Sequence, residues 1–172
     1  MNLFVFVDKN QKLISCKALK DYDACKKDLV KHVTNKLVVF DKSAHTLQKN
    51  FDGCKKIFFD KNCDEIPDFF KEVEAKTCKI NNFKQLFQLK NKYNDENIFL
   101  FGDNFVLPVW EYMEQIYLIR INKNFIQGEK FNDLLENKKF EIVYNGCPFF
   151  EDNQEYSISI FKNKNPEKYE SI

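Results

Sequence analysis

A mostly parallel α/β fold is predicted by three features of the chain. Short apolar runs alternate with segments of helical spacing over the first two thirds. Three apolar runs with no helix between them then close the chain, which adds an antiparallel end to the sheet. With 172 residues, 44% of them hydrophobic and 31% charged, the chain has apolar mass for one packed core. We expect a single domain over residues 1–162 and a polar tail over 163–172.

Each element has a local reason. Asn2 to Val7 (NLFVFV) is an apolar run stopped by the turn cluster Asp8-Lys9-Asn10, and so reads as a buried strand. From Asp21 to Val33, Tyr22, Cys25, Leu29 and Val33 recur at helical spacing with charges between them, the pattern of an amphipathic helix. Lys36 to Phe40 and Lys55 to Phe59 read as strands, the second introduced by a turn at Asp52-Gly53. Pro67 opens a helix at a position where its missing N–H costs nothing. Thr77 to Ile80 is a short strand, and Phe83, Leu86, Phe87 and Leu89 mark another helix. Asn97 to Phe101 is a strand running into Gly102. Asn104 to Met113 reads as a helix whose Pro108 must lie in its first turn or kink it. Gln115 to Ile121, Phe140 to Tyr144 and Tyr156 to Phe161 are the closing strands.

Composition narrows the function classes. The 27 basic and 26 acidic residues leave a net charge of +1, so no cationic footprint for nucleic acid or a membrane surface is expected. No apolar run approaches the roughly 18 residues of a membrane span. The opening MNLFVFVDKN has neither a basic leader nor a small-residue cleavage site, so a cytoplasmic monomer is expected. The six cysteines form no C-x-x-C pair, and His32 and His45 match no zinc spacing, so no metal site is expected. There is no Walker loop and no G-x-S-x-G. Arg120 is the only arginine, which restricts any chemistry that needs a guanidinium fork.

Several segments carry a further signal through their order and spacing. Val7-Asp8-Lys9-Asn10 with Leu13-Ile14-Ser15 forms an opening strand and loop. Thr34 to Phe40 (TNKLVVF) follows, then Gly53 to Phe59 (GCKKIFF), Asn97 to Asn104 (NIFLFGDN), Tyr117 to Asp133 and Tyr156 to Phe161. In this order they resemble the dihydrofolate reductase family along nearly the whole chain. The resemblance implies a central sheet with helices on both faces and an NADPH-dependent reduction of dihydrofolate or a related pterin. In that chemistry the cofactor carries the hydride, and the protein positions its nicotinamide and assists proton delivery.

The resemblance also implies site residues. The family's carboxylate on the first helix falls on Lys26 without gaps, with Val30 one turn later. With the gap moved it falls on Asp28, with His32 one turn later; Asp28 is either the proton donor or a solvated helix charge. Phe4 stands where the family has a small residue lining the pterin site, and either fills that pocket or packs in the core. Tyr22 matches the loop tryptophan, and with Val30 is expected to line the substrate pocket. The arginine that forks the folate tail falls on Cys54, leaving Lys55 as a point charge. Ile14, Lys42 and Ser43 fall at cofactor positions, with Ala44 replacing a threonine. Gly102-Asp103-Asn104 is either an altered dinucleotide cradle or a turn whose Asp103 caps the following helix. Two functions follow: a divergent NADPH-dependent reductase, or a non-catalytic relative that keeps the scaffold and serves as a binding or interaction protein.

Overall fold

The computed structural model describes residues 1–61, 78–125, 127–151 and 153–166. Its strands are β1 (Asn2–Asp8), β2 (Leu37–Asp41), β3 (Lys55–Phe59), β4 (Cys78–Ile80), β5 (Ile98–Phe101), β6 (Gln115–Ile121), β7 (Phe140–Asn145), β8 (Phe149–Glu151) and β9 (Gln154–Asn163). The described helices are α1 (Asp23–Val33), α2 (Phe83–Gln88) and α3 (Val106–Val109), with short 3-10 turns between elements. The helix expected after Pro67 lies outside the described residues.

The sheet runs β4-β3-β2-β5-β1-β6-β9-β7, with β8 following β7 along the same side of β9. From β4 to β6 every pairing is parallel, and those of β9 with β6, β7 and β8 are antiparallel. The expected mostly parallel α/β sheet is therefore present.

Period-two alternation sorts each strand between two cores. Leu3, Val5 and Val7 enter one, with Leu37, Val39, Leu100 and residues of α2 and α3. Phe4 and Phe6 enter the other, with Val38, Phe40, Phe101 and Cys25, Leu29 and Val33 of α1. Helices cover both faces, so strands such as β1 and β2 are buried throughout and read as continuous apolar runs.

Differences from the expected elements are local. Residues Cys16–Asp21 form a 3-10 helix before α1. The expected helix over 104–113 reduces to α3 and the 3-10 turn Trp110–Tyr112, with Pro108 inside the first turn of α3. β8 has no counterpart in the apolar pattern. β9 continues to Asn163, two residues past the expected strand end at Phe161, and the buried Asn163 amide donates to the carbonyls of Glu111 (3.2 Å) and Met113 (3.1 Å).

Asp8 fixes the turn after β1. Its buried carboxylate accepts from the backbone N–H of Asn10 (2.8 Å), Lys12 (2.9 Å) and Phe125 (3.2 Å), and Lys12 Nζ stands 3.5 Å away. Burial pushes its pKa up, but these backbone donors and Lys12 outweigh it and hold the carboxyl below the usual range. A depressed folded pKa adds stability above the unfolded value near 4, lost as pH falls through the folded value. Asp8→Asn is expected to cost roughly 2–3 kcal/mol at pH 7 in urea denaturation. The gap between native and variant should shrink below about pH 4.

Candidate functional site

The polar residues gather where β2 and β5, adjacent and parallel, both end. Gly102 leaves β5 at φ +155°, passing so close to Asp41 that an added Cβ would stand 2.1 Å from its carboxylate. Asp41, buried at the end of β2, accepts from the Ser43 N–H (2.9 Å) and hydroxyl (2.5 Å) and from the Asn104 N–H (2.8 Å). Burial raises the Asp41 pKa, while the Ser43 hydroxyl and the Asn104 N–H oppose the rise.

Asp103 ties this turn to the loop after β1. Its N–H donates to Ser43 Oγ (2.8 Å), and its carboxylate accepts from Ser15 Oγ (2.7 Å) and the Cys16 N–H (2.8 Å). Asp103 therefore accepts from the first N–H of the 3-10 helix that Ser15 caps, and does not cap α3, whose N-terminus has no side-chain cap. Cys16 is buried against Ser43, and burial together with the Asp103 charge pushes its thiol far up. Burial does the same to Cys25 on α1. Both are protonated at neutral pH and poor nucleophiles.

A cavity of about 200 Å³ opens beside this knot, lined by Phe6, Leu13, Ile14, Ser15, Asp103 and Val106. Ile14, Ser43, Gly102, Asp103 and Asn104 are thus brought to one place. Lys42 is exposed next to them, and Ala44 is buried.

Below it, the space between α1 and the sheet is filled by rings. Phe4 is completely buried, with Phe99, Phe101 and Tyr117 at 5.4, 5.5 and 5.5 Å between centroids. Phe101 also meets Phe6 (5.5 Å), Phe40 (5.7 Å) and Phe51 (4.9 Å). These spacings are those of favourable edge-to-face and offset pairs. Phe4 is thus a member of the buried cluster on the α1 side of the sheet.

The outer residues divide between two openings along α1. Tyr22 lines a cavity of about 150 Å³ with Asp21, Cys25, Lys27, Gln154 and Tyr156. Val30 floors an open groove of about 500 Å³ with Asp23, Lys26, Lys27, Lys31 and Asn50. Asp28 lines neither. Its carboxylate accepts from the Tyr156 hydroxyl (2.5 Å), with Lys31 Nζ 3.9 Å away. His32, one turn on, stacks edge-on against Tyr117 at 5.2 Å, and burial lowers its pKa while the Asp28 charge opposes this.

Lys55 does not join the groove. It shares a face of the sheet with Leu37 and Ile57, opposite α1, and its ammonium lies over the Tyr93 ring at 5.3 Å. The groove cations are Lys26, Lys27 and Lys31. Lys27 and Lys31 are four apart on a helix, the spacing that puts both on one side. Lys26 is held by Asp23 at 3.0 Å. Among the described residues, no group of three His, Cys, Asp or Glu side chains is placed to hold a metal ion. No helix among them is long and apolar enough to cross a membrane. No protein-family model matches the chain, and no curated protein matches it.

Proposed function

We propose that the chain is a non-catalytic relative of dihydrofolate reductase, a binding protein on that family's scaffold. The mostly parallel sheet with antiparallel C-terminal strands agrees with the fold the resemblance implies and supports this reading. The observation that carries the non-catalytic reading is the ring cluster of Phe4, Phe6, Phe40, Phe51 and Phe101, all 3% exposed or less, because Phe4 stands where the resemblance implies a small residue lining the pterin site. Function lives in the site and not the fold, and on this reading the rings leave the substrate no room.

NADPH does not fit the residues present. The Asp103 carboxylate occupies the turn a pyrophosphate would approach, the Asp41 carboxylate fills the space over Gly102, and the adjoining cavity measures about 200 Å³. That is less than the roughly 300 Å³ at which ligand pockets begin. Asp28, hydrogen-bonded to Tyr156 outside the ring cluster, is a structural carboxylate in this reading.

What remains is the groove along α1, about 500 Å³ in volume, with three lysines over Val30. It suits a ligand with an apolar body and a carboxylate tail, held by point charges where the family uses a fork. The test is a pair of measurements. Dihydrofolate-dependent oxidation of NADPH is expected to be absent. Folate binding in calorimetry is expected to weaken about tenfold or more in Lys27→Glu. Dihydrofolate-dependent turnover, lost in Asp28→Asn, would overturn this reading in favour of the reductase.

A further inference from the structure

The outer edge of the sheet has an unusual composition. β7 and β8 run one after the other along β9, and edge strands are ordinarily blunted by charges or prolines. Here Ile142, Val143, Tyr144, Phe149 and Phe150 are 40, 50, 53, 46 and 67% exposed. Ile142 pairs with Phe161 and so shares that residue's face, while Tyr144 and Phe149 pair with Ile160 and Tyr156 on the other. Apolar residues on both faces are the mark of an interior strand.

We propose that this edge binds a second copy of the chain, β7 and β8 of one copy running antiparallel to β7 and β8 of the other about a two-fold axis. Two observations favour a second copy over an unrelated strand. In sequence Lys138 precedes β7 and Glu151 closes β8, so antiparallel pairing sets the basic end of each copy's edge beside the acidic end of the other's. Area agrees as well. Five side chains about half exposed present roughly 500 Å² of apolar surface, near the upper size of a monomer's largest patch. With a polar rim including Glu141 and Asn145, this approaches the roughly 800 Å² per partner of a standard interface. The bulge between Ile142 and Tyr144 and the Gly146-Cys147-Pro148 break limit ladder bonding to short stretches. Side chains on both faces therefore carry most of the contact.

Sedimentation velocity on the full chain between about 1 and 100 µM tests this. A dimer is expected, with a dissociation constant in the micromolar range. Val143→Lys and Phe150→Lys, both at exposed positions, should each weaken it at least tenfold while leaving the thermal melt of the monomer unchanged. If either variant misfolds, Tyr144→Lys replaces it. A native chain that is monomeric at about 100 µM would overturn the proposal, as would a dimer indifferent to the substitutions or an open-ended assembly.

Discussion

Gly102→Ala is expected to destabilise the chain by roughly 3–5 kcal/mol, among the largest losses a single methyl can cause. Two effects add. At φ +155° an L-residue is strained, and the new Cβ would stand 2.1 Å from an Asp41 carboxylate that three hydrogen bonds hold in place. If Asp41 shifts to make room, the Asn104 N–H and the Ser43 contacts lose their acceptor. Gly53→Ala is the control. It too has a positive φ, +75°, but its added Cβ would meet only the Thr34 methyl at 3.7 Å, an ordinary contact. About 1–2 kcal/mol is expected there from the backbone alone. Urea denaturation compares the two, and equal losses would contradict the clash at Asp41.

Phe4→Ala is expected to cost roughly 3–5 kcal/mol, because it leaves a cavity that the three neighbouring rings cannot close. The side chain is completely buried, and Phe99, Phe101 and Tyr117 all pack on it. The variant restores the small residue the resemblance implies at this position, so it separates packing from pocket lining. If Phe4 faced a solvent-filled site, truncation would cost little and would make room for substrate. A cost below about 1 kcal/mol, or dihydrofolate-dependent turnover gained by the variant, would contradict the filled core.

The fold was more legible in the sequence than the site. β1, β2, β3, β5 and β6 are visible because strands covered on both faces form unbroken apolar runs, and turn residues such as Asp52-Gly53 bound them. β8 escaped notice because three residues after Pro148 are too few to show a period. The 3-10 helix at Cys16 has a local cap in Ser15, but six residues with little apolar period show no helix, and its first N–H is taken up by Asp103, 87 positions away. Within the site, Ile14, Ser43, Gly102, Asp103 and Asn104 do converge, since the ends of adjacent parallel strands must meet. What the sequence reading lacked was direction. Lys55, expected as the point charge for a folate tail, is placed by period-two alternation with Leu37, away from α1. Asp41 ends an apolar strand just before Lys-Ser-Ala, the position of a natural cap for the turn that follows. Whether Phe4 packs or lines a pocket depends on which other rings reach it, and those come from β5 and β6, far along the chain.

Calorimetric titration of the native chain with NADPH tests the central claim, that the Asp41–Asp103 knot and the ring cluster have closed the site. No saturable heat is predicted up to about 1 mM, an affinity weaker than roughly −4 kcal/mol. Saturable binding with a dissociation constant of about 10 µM or below would contradict it, because such affinity requires a cradle open at Gly102 and Asp103.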